Sequence, residues 1–181
     1  MANNMGRNAM GKTVSFPMEL YESIQGRYFV GLADNLNLNS SGSAWARLYN
    51  PRLSGVNLFV DRWSAEASAN GPYCARIWLN ADPPGNALSS TLVSPGNLAF
   101  RPAPLSAVSL QKASNVYGEP DGGTEVFSRQ AFPGSVIAER ENGRFIFPPG
   151  GSFLILVTLA DAGCSPVSCR ISFGWWEERI A

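Results

Sequence analysis

A chain of 181 residues, 45% of them hydrophobic, is of one-domain size and can bury about 70% of its unfolded surface. Its formal net charge is zero and only 15% of its residues are charged, with basic residues scattered singly, which excludes the basic face a nucleic-acid binder needs. There is no histidine, so His-activated nucleophiles, His general bases and His metal ligands are excluded together.

Residues 1–15 are rich in Asn, Gly and Met and have neither helical nor strand periodicity. They read as an extended arm ahead of a single domain over residues 16–181. Met5, Met10, Val14 and Phe16 are the apolar points by which the arm would dock on another copy. The arm has no apolar h-region and does not read as a secretory signal. A protein that acts outside the cell would then have lost its signal already or be released by lysis.

Residues 16–25 read as a short helix or an edge strand after Pro17. Residues 27–32, 44–49 and 56–63 read as strands, with a loop over residues 34–43 and a stop at Asn50-Pro51. Tyr73, Ala75, Ile77 and Leu79 then alternate with Cys74, Arg76, Trp78 and Asn80, the period of a half-buried strand. The prolines of Asp82-Pro83-Pro84-Gly85-Asn86 exclude helix and central strand, and irregular chain is expected as far as Pro104. Residues 107–114, 125–132, 135–141 and 144–147 read as further strands, with Asn142-Gly143 as a type I′ hairpin turn.

Residues 153–159 are apolar at nearly every position, as in a strand covered on both faces. Cys169, Ile171, Phe173 and Trp175 alternate with Arg170, Ser172, Gly174 and Trp176. These last two strands are expected to pair as a hairpin against which the rest packs. About ten short strands with no long amphipathic helix predict an all-β antiparallel sandwich of jelly-roll type.

Little chemistry survives this reading. Cys164 and Cys169 flank Ser-Pro-Val-Ser and either close a short disulfide loop or stay reduced, with Cys74 left over. Three Cys without His cannot make a closed zinc site, the aspartates lack EF-hand spacing and no phosphate loop is present, so no metal or cofactor is expected. A carboxylate-dependent glycosidase needs two acids facing across a cleft. Of the candidates, Glu177 and Glu178 are neighbours that point to opposite faces, while Glu66, Glu125, Glu139 and Glu141 lie beside turns. The chain is therefore expected not to be an enzyme. Trp78 and Trp176 lie opposite the most apolar set of their strands and are candidate exposed contacts for a glycan, as in a lectin-like module. No run of about 20 apolar residues is present, so membrane insertion is not expected.

Several stretches carry a resemblance to known proteins: Gln25-Gly26-Arg27-Tyr28-Phe29-Val30-Gly31, Ser54-Gly55-Val56-Asn57-Leu58, Phe145-Ile146-Phe147-Pro148-Pro149-Gly150-Gly151-Ser152-Phe153-Leu154 and Phe173-Gly174-Trp175-Trp176-Glu177-Glu178. In these the chain resembles a small family of uncharacterised proteins from spore-forming Firmicutes, a likeness that implies no catalytic residue. In architecture alone it is similar to the endospore appendage subunits of such bacteria, jelly rolls whose N-terminal arm docks into the preceding subunit. That likeness implies a self-assembling subunit of a spore-surface or extracellular filament, joined through the arm and strand-edge addition. The arm here has no cysteine, so the cross-linking seen in one class of those subunits has no counterpart.

Overall fold

Alternation along the strands sorts side chains between one shared interior and two outer faces. The computed structural model describes residues 15–39, 41–68, 70–160 and 167–180. Two antiparallel sheets form a sandwich, with one short helix, α1 (Met18–Ile24), at its start. Sheet A runs β6 (Val93–Pro95), β1 (Tyr28–Leu38), β11 (Val167–Arg179), β3 (Val56–Ala67), β9 (Val136–Phe147). Sheet B runs β5 (Leu88–Ser89), β7 (Ser109–Val116), β2 (Ser43–Tyr49), β10 (Ser152–Leu159), β4 (Tyr73–Leu79), β8 (Thr124–Ala131). From β1 to β4, and again from β8 to β11, each strand lies in the sheet opposite its predecessor. That is the jelly-roll path.

The expected hairpin of the last two strands does not form. β10 pairs with β2 and β4, whereas β11 pairs with β1 and β3 in the other sheet. The apolar run of β10 explains its place, because both of its faces are covered. Phe153, Ile155 and Val157 enter the main core, where Phe153 meets Phe145, Phe147 and Phe173 at centroid distances of 5.6–6.4 Å. Leu154 and Leu156 lie on the outer face under a second apolar cluster with Trp45, Ala81, Ala113 and Val116. The proline-rich connection roofs that cluster, and Trp45 Nε1 donates to the Pro84 carbonyl at 2.8 Å.

Asn142 and Gly143 do adopt positive φ, 50° and 72°, but they do not turn the chain. Both belong to β9, which stays paired with β3 on either side of them, Arg62 opposite Arg140 and Val60 opposite Phe145. The conformation is the one their sequence favours, and it serves as a bulge within one strand. The loop expected over residues 34–43 is likewise mostly strand. β1 continues to Leu38 through an irregularity between Ala33 and Leu36, where Asn35 has φ 52°.

The open alternative at residues 16–25 resolves as helix. α1 follows Pro17 and is anchored by Glu22, which is buried and accepts from Arg27 Nε at 2.7 Å. Its Met18, Leu20, Tyr21 and Ile24 remain exposed. Of the arm residues, Phe16 is exposed, and Met5, Met10 and Val14 lie outside the described residues. So does Cys164, hence also its pairing with Cys169. Cys169 itself is buried, which pushes its thiol up to about 12.

Candidate functional site

The glutamates that kept hydrolase chemistry open are used as braces. Glu177 is buried and accepts from Ser106 Oγ at 2.6 Å, the Ala107 amide at 3.0 Å, the Val108 amide at 3.2 Å and Trp175 Nε1 at 3.1 Å. It thereby ties the approach to β7 onto β11. Glu141, also buried, accepts from Trp63 Nε1 at 3.1 Å and pairs with Arg144. Glu178 accepts from Trp176 Nε1, Glu139 pairs with Arg129, and Glu66 pairs with Arg170. Each of these carboxylates satisfies a nearby donor, the use that best offsets the cost of taking a charge out of water.

Arg76 on β4 lies between Glu119 and Glu125, with its guanidinium 5.4 Å from the Trp78 ring centre. The hydrogen bond from Arg76 holds the Glu125 carboxyl below its usual value. A depressed folded-state pKa contributes stability that is present above the unfolded value, about 4.3, and is lost as pH falls through the lower folded value. Glu125→Gln is therefore expected to lower Tm at pH 7 and to leave it unchanged at the acid end, below the folded value. Paired thermal melts from pH 7 to pH 2 check this, and a gap that stays constant throughout would exclude the linkage.

The two candidate aromatic contacts do not form a platform. Trp176 does lie on the outer face of sheet A, but it is only 4% exposed. It stacks on Phe59 at 5.3 Å with 8° between the planes, and the Gly143 bulge closes over its ring. Trp78 is half-buried on the outer face of sheet B, beneath Arg76. What pairing and bulging cover could not be read from alternation alone.

A concavity of about 900 Å³ crosses the outer face of sheet A. Register places two rows of residues across it. One row runs Ser94, Val30, Gly174, Arg62, Arg140, and the next runs Leu32, Ser172, Ser64, Ala138. The floor is low because the central residues are small, and Ser64 and Ser172 hydrogen-bond to one another at 2.6 Å. Val30, Leu32 and Leu92 make the β1 and β6 side apolar. Arg62 and Arg140, register partners on adjacent strands, make the opposite side cationic.

Beside the groove, Tyr28 leans over Gly174, where any side chain would meet its hydroxyl. That hydroxyl donates to Asp61 Oδ2 at 2.7 Å, and Arg62 Nε donates to the same oxygen at 2.9 Å. Burial, then the hydrogen bond to Asp61, raises the Tyr28 hydroxyl well above its ordinary value. Asp61 is fully buried and its Oδ1 has no partner among the described residues. Apart from Glu139, none of the groove's lining residues was singled out from sequence as a candidate site residue. The signal lay in Ser172 and Gly174, small residues on the outward set of a strand otherwise bearing large ones.

The two sides of the sandwich end differently. On one side both sheets finish in strands of two or three residues, β5 and β6, supplied by the irregular connection. On the other they finish in β8, with eight residues, and β9, with twelve. Among the described residues β8 pairs only with β4 and β9 only with β3, so each leaves one row of backbone groups without a strand partner. Phe132 (76% exposed), Val136 (55%) and Ile146 (53%) lie along this side.

Among the described residues no three His, Cys, Asp or Glu side chains come together as a metal-binding group, and no helix is long and apolar enough to cross a membrane. No curated protein and no solved structure matches the chain. The profile of a family of unknown function, DUF6143, matches residues 5–181, the whole sandwich and most of the stretch before it. The chain belongs to that family, DUF6143.

Proposed function

We propose that the protein is a self-assembling structural subunit whose copies join through the β8/β9 side and through residues 1–15, forming a filament. The observation that carries this reading is the contrast between the two sides. One is closed by very short strands, while the other presents an eight-residue edge with phenylalanine and branched aliphatic side chains at its margin. An unpaired edge offers main-chain hydrogen bonds to an added strand without a sequence-specific pocket. A strand from the arm of a neighbour makes a head-to-tail contact, and such a contact that does not close into a ring propagates as a fibre. Zero net charge adds little repulsion between copies. A spore surface or the cell exterior is the setting that the likeness to spore-former proteins suggests.

Negative-stain microscopy with light scattering tests the reading on three proteins: the full chain, the chain lacking residues 1–15, and Phe132→Lys/Val136→Lys. The full chain is expected to form elongated particles that grow with concentration, and each alteration to abolish them while the thermal transition persists. A full chain that stays monomeric, or particles indifferent to both alterations, would refute the proposal.

A further inference from the structure

The groove opens on the outer face of sheet A and reaches β9 only at Ala138, Glu139 and Arg140, and its chemistry is specific enough to name an occupant. Arg62 and Arg140 are register partners across β3 and β9 and so project from the same face. Like charges directly opposite one another on a sheet are unfavourable, and an anion between them relieves the repulsion. Each arginine does have one carboxylate partner, Asp61 Oδ2 at 2.9 Å and Glu19 Oε1 at 2.9 Å. Those contacts use Nε of Arg62 and one terminal nitrogen of Arg140, leaving further N–H donors on each half-exposed guanidinium. The groove's own carboxylate, Glu139, is paired with Arg129.

Across the small-residue floor the opposite wall is Val30, Leu32 and Leu92. From β6 to β9 the groove spans four strand spacings, about 19 Å at ~4.8 Å each. Its volume of about 900 Å³ lies within the range of small-molecule sites. An apolar wall, a polar floor and two adjoining guanidiniums at one end match a molecule with the same division of properties.

We propose that this groove binds an amphiphilic carboxylic acid of the fatty-acyl type, its chain on the β1/β6 wall and its carboxylate held by Arg62 and Arg140. The arm is a poor occupant by comparison. Its only charged side chains are Arg7 and Lys12, both of the same sign as the guanidiniums.

Calorimetric titration of the full chain with decanoate, below its micelle concentration, is the test. The expected result is saturable one-to-one binding that falls at least tenfold for decanol, which has no charge, and at least tenfold for Arg140→Gln. Arg140→Gln also breaks the ion pair with Glu19, so Glu19→Gln is the necessary companion. It breaks the same pair but frees the guanidinium, and is expected to bind decanoate as well as the parent chain or better. Absence of saturable binding, equal affinity for decanol, or equal loss in Glu19→Gln and Arg140→Gln would overturn the assignment. Val30→Glu, which puts a carboxylate on the apolar wall, is expected to abolish binding with the fold retained by thermal melt; unchanged binding would place the ligand elsewhere.

Discussion

Gly143→Ala is expected to destabilise the protein by about 2–4 kcal/mol, while Gly55→Ala costs only about 1 kcal/mol. The two glycines have nearly the same backbone conformation, φ 72° and 70°, so the conformational cost of a Cβ is common to both. They differ in surroundings. A Cβ at Gly55 meets nothing within 4 Å, whereas at Gly143 it would overlap the ring of Trp176. That ring is stacked on Phe59 and almost fully buried, so it cannot swing out of the way freely. Denaturant midpoints at equal m-value measure the difference. Equal losses would mean that the bulge does not press on Trp176, and the account of why this tryptophan is buried would fail.

Glu177→Ala is expected to cost about 3–5 kcal/mol, a large share of a typical total of roughly 5–15 kcal/mol. The change strands the Ala107 amide and Trp175 Nε1 and leaves the Val108 amide with Ser106 Oγ alone, at 3.1 Å, in a region from which water is largely excluded. Each buried donor without an acceptor costs about 1–3 kcal/mol, though losses in one network do not add fully. Glu177→Gln keeps one acceptor oxygen but turns an amide group toward donors, so it is expected to fall between the parent and Glu177→Ala. Hydrogen exchange resolves the local part: the amide of Ala107 should lose protection in Glu177→Ala, and that of Val108, which keeps Ser106 Oγ, should lose less. A variant within about 0.5 kcal/mol of the parent would show that the carboxylate is not the tie it appears in the hydrogen-bond pattern.

Residues 73–79 show how far periodicity reaches. The alternating set beginning at Tyr73 faces the core and the set beginning at Cys74 faces out, as their order along the chain requires. The apolar run of β10 likewise foretold a strand covered on both faces. Its partners were not legible, because an apolar run states that covering exists and is silent about which strand supplies it. The nearest apolar strand in sequence was the economical choice for a hairpin, and the jelly-roll path places it in the opposite sheet. Asn142-Gly143 is the same lesson at short range. Side-chain chemistry fixes the sign of φ, but whether two left-handed residues reverse a strand or swell it depends on a partner, here β3, that continues past them. The groove was hidden for a related reason. Its apolar wall, its serines and its arginines come from different strands and meet only through register.

The woven order of the strands also sets a constraint in time. The last two strands of the sandwich, β10 and β11, occupy interior positions: β10 separates β2 from β4, and β11 separates β1 from β3. During synthesis, therefore, four earlier strands wait with their eventual neighbours still inside the ribosome, and neither layer can close until residues 152–179 have begun to emerge. Such long-separation pairing slows folding, because loop entropy is lost before contacts repay it. A sandwich built this way presents no finished surface until both β10 and β11 are in place.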